Sequence, residues 1–272
     1  IVSTHLERSS KKLDLQLKQL KDTEKRDKFK VYGELLNTYG YQVTEGAKSV
    51  EVPNYYTGEM LTIPLDETLS PLDNAKKYFA RYNKLKRTFE ALNTQTEETK
   101  TEMAHLQTIQ ASLAIAESED DLAQIRDELE TYGYIRRKMN GKKKQKFKSK
   151  PFHYRSSDGF DIYVGKNNFQ NDELTFKVAN GNDWWFHAKG MPGSHVIVKT
   201  EGRELPDRTF EEAGRLAGYY SSGRDNEKIE IDYLQRKNVK KPNGAVAGYV
   251  IYYTNYSLTI HPDISGIEKI SE

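Results

Sequence analysis

The sequence predicts an α+β chain built in two parts. The first is a long antiparallel helical coiled-coil hairpin with a small β element at its tip, and the second is a compact α+β domain. Three observations carry this prediction. Apolar residues between Tyr78 and Leu113 alternate steps of four and three, the period of a coiled-coil seam. Residues 41–66 switch to the two-residue period of strands. From Pro151 onward, short β-branched and aromatic runs alternate with Gly-centred turns around one amphipathic helix. The expected boundaries are 1–140 for the coiled-coil and middle region, 141–150 for a basic linker and 151–272 for the α+β domain.

The first forty residues read as helix, with Leu6, Leu13, Leu17, Leu20, Val31 and Leu35 close to a seven-residue repeat. Gly40 follows Tyr39 and is expected to act as a left-handed cap. In the β element, Ser49-Val50-Glu51-Val52 and Met60-Leu61-Thr62-Ile63 are short strands punctuated at Gly46 and Gly58. Ser70 caps a second helix, with Pro71 at its first position and Asp73 in its first turn. Its seam runs Tyr78, Tyr82, Leu85, Phe89, Leu92, Thr96, Thr99, Met103, Leu106, Gln110, Leu113 and is polar in the middle. At 1.5 Å per residue it reaches about 65 Å, so the economical arrangement is helix out, β element at the turn, helix back. A third helix is capped by Ser118 with Asp121 at the third position, and Gly133 ends it.

In the second part, strands are expected at Tyr154–Ser156, Asp161–Val164, Thr175–Val178, Asp183–His187, His195–Val198, Ile229–Tyr233 and Val246–Tyr253. Ser157-Asp158-Gly159 is a hairpin signal and Gly190-Met191-Pro192-Gly193 a turn. One helix, from Asp207 to about Ser222, turns Phe210, Ala213, Leu216, Ala217 and Tyr220 inward.

Composition narrows the function. The 272 residues are 30% charged and 36% hydrophobic, with mean hydropathy −0.83. No run approaches the roughly 20 apolar residues of a membrane helix. The absence of cysteine excludes disulfides, a thiol nucleophile and thiolate metal sites. The chain opens IVSTHLERSS, without an initiator methionine or an apolar signal core, which predicts a piece of something longer with no visible export signal. Residues 1–140 carry 21 basic and 23 acidic side chains, and residues 141–272 carry 21 and 17. Arg136–Lys150 holds nine basic residues and no acid, either as a solvated linker or as a strand that touches phosphate.

No nucleophile elbow, Walker loop, HExxH or dinucleotide fingerprint is present, so no catalytic residues, metal or cofactor are expected. His187 and His195 are near each other but lack a third ligand, and they read as strand-end histidines. The segment Asp183-Trp184-Trp185-Phe186-His187-Ala188-Lys189 is denser in chemistry. Alternation sets Trp185 and His187 on the face opposite Trp184 and Phe186. One face can enter the core while Trp185, His187 and Lys189 form an aromatic, cationic patch able to stack bases. The alternative is that these aromatics are simply core. Asp183 can instead be structural, orienting its strand. A second patch is Arg236, Lys237, Lys240 and Lys241, which puts four cations in six positions of a loop.

Several of these segments carry a resemblance. Asp161-Ile162-Tyr163-Val164-Gly165-Lys166-Asn167-Asn168, the Asp183–Lys189 run and Pro192-Gly193-Ser194-His195-Val196 closely resemble the RNA-binding NFACT-R domain. Ser70-Pro71, Asn74-Ala75, Tyr78-Phe79 and Tyr82-Asn83-Lys84 resemble the start of the returning coiled-coil helix of the same proteins. Tyr55-Tyr56-Thr57-Gly58-Glu59 and Ile63-Pro64-Leu65-Asp66 fit the middle element before it. The chain thus resembles the C-terminal part of the NFACT family, bacterial RqcH type, also called fibronectin-binding proteins in Gram-positive bacteria. That resemblance implies a cytoplasmic ribosome quality control factor. Such a factor binds obstructed 50S ribosomal subunits and tRNA, and it supports C-terminal alanine tailing of stalled nascent chains. It implies as an alternative a surface adhesin that binds host fibronectin or fibrinogen after export by a non-standard route. A self-associating coiled-coil scaffold is a third reading.

Overall fold

The computed structural model describes residues 1–136 and 149–270. They form two compact units, Glu7–Glu102 and Ile1–Leu6 with Met103–Glu272. The basic stretch at 137–148, most of the expected linker, lies outside the described residues.

The first forty residues are helical but not one helix. A 3-10 turn at Thr23–Lys25 separates α1 (Val2–Asp22) from α2 (Arg26–Tyr39). Buried Thr23 turns its hydroxyl back onto the Leu20 carbonyl at 2.5 Å, a local bond that competes with the helical ladder. Gly40 is not the expected left-handed cap, because its φ is −58°. A Cβ there would stand 3.2 Å from the Cβ of Pro71, so close approach and not backbone conformation limits the side chain. Strands β1 (Ser49–Pro53) and β2 (Met60–Pro64) pair antiparallel with Val52 opposite Leu61, inside the expected β element. Val52 and Ile63 are buried against Leu35, Leu36 and Ala75.

Helix α3 (Pro71–Ile115) runs for 45 residues and begins where expected, the Asp73 N–H donating to Ser70 Oγ at 3.1 Å. The Arg26 guanidinium lies 4.0 Å over the Phe89 ring, and Phe29 and Tyr32 meet Tyr78 at 6.0 and 5.1 Å. Thr96 and Thr99 are buried, as are Gln16 and Thr23, so the polar stretch of the heptad pattern faces the interior. Gln16 Oε1 and Thr96 Oγ1 find no hydrogen-bond partner among the described residues.

In the other unit, α4 (Glu119–Thr131) carries the expected capping box. The Asp121 N–H donates to Ser118 Oγ at 3.2 Å and the Ser118 N–H to Asp121 Oδ2 at 3.1 Å. Gly133, with φ +78°, follows the end of the helix. Leu106 and Ile109 of α3 pack on Ile125 and Leu129 of α4.

The sheet of this unit comprises β3 (Phe152–Arg155), β4 (Asp161–Val164), β5 (Trp184–Ala188), β6 (Val196–Val198), β7 (Ile229–Gln235), β8 (Tyr256–Ile260) and β9 (Glu268–Lys269). Their order is β8-β7-β5-β6-β4-β3-β9 and every pair is antiparallel. Helix α6 (Asp207–Tyr219) covers one face through Ala213, Leu216 and Ala217.

Two expected strands are corrected. Thr175–Val178 lies in a π-helical turn, Leu174–Val178, that continues α5 (Asn168–Glu173). The missed start signal is Asn167, whose Oδ1 accepts from the Gln170 N–H at 3.0 Å. Val246–Tyr253 is not a strand, and β8 lies further on. The Ala247 N–H donates to the Tyr132 hydroxyl at 2.6 Å and the Gly248 N–H to Asp172 Oδ1 at 3.0 Å, which takes these donors out of any ladder. Val250 and Tyr252 still reach the core from that loop.

Polar side chains tie α3 and α4 to the start of α5. Asn168 Nδ2 donates to Glu128 Oε1 at 2.7 Å and to Thr108 Oγ1 at 2.8 Å. Gln124 Oε1 accepts from Asn167 at 2.7 Å and from Gln170 at 2.8 Å. His105 Nε2 stands 2.9 Å from Glu128 Oε1.

Candidate nucleic-acid interface

Strand β5 lies inside the sheet between β7 and β6, and its alternation is as expected: Phe186 and Ala188 join the core under α6, and Trp185 joins the opposite one. What differs is that both faces are covered. Leu174, Ile197, Leu234 and Val239 enclose Trp185, which has no exposed surface. The expected stacking plane is therefore not offered by Trp185, because the α5 segment and the 239–252 loop cover a face that the sequence pattern left open. His187 and Tyr252 pack on its indole at 5.6 and 5.3 Å.

His187 and His195 lie 5.6 Å apart, ring centre to ring centre. Burial pushes the His187 imidazole down to about 4, and burial followed by His187 drives His195 well below its ordinary value. Both rings are neutral near pH 7, so His187 supplies no positive charge to phosphate there. Asp183 is structural. Its Oδ2 accepts from Lys199 Nζ at 2.5 Å and the Asn180 N–H at 2.7 Å, and its Oδ1 from the Thr200 N–H at 2.9 Å. Burial alone would raise this carboxyl, yet those donors hold it below the usual carboxylate range.

The structure sorts the predicted cations by what they touch. Lys189 is exposed but pairs with Glu230 at 2.6 Å. Arg236 donates through Nε to the Thr175 carbonyl at 2.5 Å and stands 5.1 Å over the Phe176 ring. Lys241 pairs with Asp172. Lys237 and Lys240 are exposed and form no ion pair with a described carboxylate. Their loop is built to present them. A 3-10 turn at Arg236–Asn238 follows β7, Val239 is buried as an anchor, and Lys240 exchanges backbone bonds with Ile251 at 2.9 and 2.8 Å. The Arg236 N–H donates to the Asp183 carbonyl at 2.8 Å and the Lys237 N–H to the Gly181 carbonyl at 3.0 Å. These bonds tie the lysine turn to the residues just before β5, while the β5–β7 register carries Lys189 to Glu230 at the far end of the strand, so the two predicted patches are not brought together.

Sequence reasoning missed an aromatic cluster on the α6 side of the sheet. Trp184 meets Phe210 edge-on at 4.8 Å and Tyr233 at 5.8 Å, and Tyr233 stacks on Tyr256 at 5.5 Å. Tyr256 is 62% exposed, which leaves this row open at its outer end. The available signal was the shared parity of Trp184 and Phe186, which had been assigned to the core alone.

Residues 1–148 match the family model for NFACT N-terminal and middle domains, and residues 150–252 match that for the NFACT protein RNA binding domain. The chain belongs to the NFACT family. Similar relatives are the Rqc2 homolog RqcH of Streptococcus suis, 40% identical over 99% of this chain and 48% of its own length, and that of Bacillus subtilis, 37% identical over 94% and 45%. This NFACT chain therefore spans about half the length of the curated relatives it matches. Among solved structures it is similar to the C-terminal part of the fibronectin/fibrinogen-binding protein from Streptococcus suis. The TM-score there is 0.75 at 33% identity, covering 99% of this chain and 95% of that one.

Proposed function

We propose that this NFACT chain is the RNA-contacting part of a ribosome quality control factor, acting by binding and not by catalysis. In this reading it grips obstructed 50S subunits and tRNA in support of alanine tailing of stalled nascent chains. The observation that carries the reading is the Lys237–Lys240 turn, two exposed lysines without ion-pair partners among the described residues, held on a buried anchor within the RNA-binding family match. Phosphate is the ligand such a turn suits, and each contact releases counterions, so affinity should fall with salt.

In this reading the helices of the Glu7–Glu102 unit form an antiparallel hairpin that adds a further contact on the large partner. Its support is the opposite order in which α2 and α3 residues meet, Tyr32 against Tyr78 and Arg26 against Phe89.

The test is co-sedimentation with purified 50S subunits across a salt series, beside Lys237→Glu/Lys240→Glu. Binding that weakens with salt and collapses in the double variant is expected. Binding indifferent to both would refute phosphate contact by this turn. A second reading, adhesion to fibronectin or fibrinogen from the cell surface, rests on the name of the similar Streptococcus suis structure. It predicts saturable fibronectin binding that persists at about 0.5 M salt.

A further inference from the structure

Beside the lysine turn, on the α6 side of the sheet, lies a cleft of about 520 Å³. Trp184 and Phe210 line it with aromatic rings, Asn182 and Gln235 with carboxamides, and Arg203 and Glu204 with charged groups. The register of the sheet puts Trp184 directly across from Gln235, and the Lys237–Gly181 backbone bond holds the lysine turn next to Asn182. The Asn182 and Gln235 side-chain amides make no hydrogen bond within the described residues, although each offers a donor and an acceptor. The Arg203 guanidinium lies 3.9 Å over the Phe160 ring and its Nη2 stands 3.9 Å from Glu201 Oε2, so this cation is already engaged at the rim. The cleft thus offers aromatic rings together with uncommitted amides. Lys237, which pairs with no described carboxylate, lies two residues beyond Gln235 at its edge.

We infer that this cleft receives one unpaired nucleobase of an RNA strand whose phosphate lies on Lys237, an inference that rests on the RNA-binding reading above. A base is flat, has an apolar face for Trp184, and carries edge donors and acceptors that a carboxamide can match. The volume, about 520 Å³, falls within the range of small-ligand clefts and exceeds that of one base. The neighbouring Tyr233–Tyr256 stack ends in an exposed ring, which gives a second surface for the next base along the strand. A duplex cannot use this site, because its bases are paired and stacked inside. The cleft therefore confers preference for single-stranded or looped RNA, where the lysine turn alone would bind either form.

Fluorescence anisotropy with a labelled 12-nucleotide single-stranded RNA and a duplex of the same length tests this on the full chain. Asn182→Ala/Gln235→Ala should weaken single-strand binding about tenfold and leave duplex binding within twofold. Lys237→Ala should weaken both. Because Trp184 also packs on the core, its role is read by emission. Single-stranded RNA should quench the tryptophan signal of the unaltered chain, and Trp184→Phe should abolish that quench, since Trp185 is enclosed. Equal effects of the double amide variant on both RNAs, or none on either, would overturn the cleft and leave RNA binding standing. Failure of the unaltered chain to bind either RNA would overturn both.

Discussion

Lys199 Nζ stands 2.5 Å from Asp183 Oδ2, one end of a buried pair that pins the start of β5 to the end of β6. Asp183 is 1% exposed, so its charge is sustained by its donors and not by water. Asp183→Asn should destabilise the fold by roughly 3 kcal/mol, because it leaves the Lys199 ammonium half-buried without its counter-charge. The depressed native pKa also sets a sign. The contribution of Asp183 is complete above its unfolded value of about 3.9 and is lost as pH falls through the native value. Urea denaturation at falling pH should therefore show a shallower acid limb in the variant than in the unaltered chain.

His187 acts over a higher pH range. Its native pKa of about 4 lies below the unfolded value of about 6.5, so the unfolded chain takes up the proton first. Stability is full above pH 6.5 and should decline toward pH 4, by at most about 1.4 kcal/mol per pH unit from this residue. His187→Gln should flatten that slope in urea titrations at pH 7, 6 and 5. An unchanged slope would remove His187 as the source.

Two lysines of one loop should behave oppositely. Lys241→Ala strips the partner from Asp172 and should lower stability by about 1 kcal/mol. Lys237→Ala touches no described carboxylate and should change stability by less than about 0.5 kcal/mol. It should nevertheless reduce the salt dependence of single-stranded RNA binding by about 0.7 log units of affinity per log unit of salt. Thermal melts beside a salt series separate the two.

Gly248 sits at φ +78° with the Asn168 side-chain amide where a Cβ would go. Gly248→Ala combines backbone strain with a clash against a side chain that is held in place by Glu128 and Thr108. A loss of about 2 kcal/mol is expected in chemical denaturation. A neutral result would mean that the Asn168 network yields easily.

What could be read from the sequence was local. The Ser70 and Ser118 caps, the β1–β2 pair and α6 depend on neighbours within a few residues, and each appears close to where its signal stands. Trp185 shows the opposite case. The alternation of β5 was correct, but the covering of its second face comes from Leu174 and Val239, distant in sequence and drawn in by tertiary packing. The same holds for Lys241 and Arg236. Their charge was visible, but the commitments to Asp172 and to the Thr175 carbonyl were not, so four equivalent cations became two structural ones and two exposed ones. The 246–253 segment reads as a strand because its residues are apolar and β-branched, yet Tyr132 and Asp172 claim two of its N–H groups.

The amide lattice between α4 and α5 has an evolutionary consequence. The two family matches divide between 148 and 150, while Gln124 and Glu128 on one side hold Asn167, Asn168 and Gln170 on the other. The border between the two family matches therefore does not coincide with the border of the compact unit. A gene fusion that transplanted the sheet domain from residue 150 onward would carry donors and acceptors shaped for a helix left behind. Recombination that preserves the fold must take α4 and the last turns of α3 as cargo.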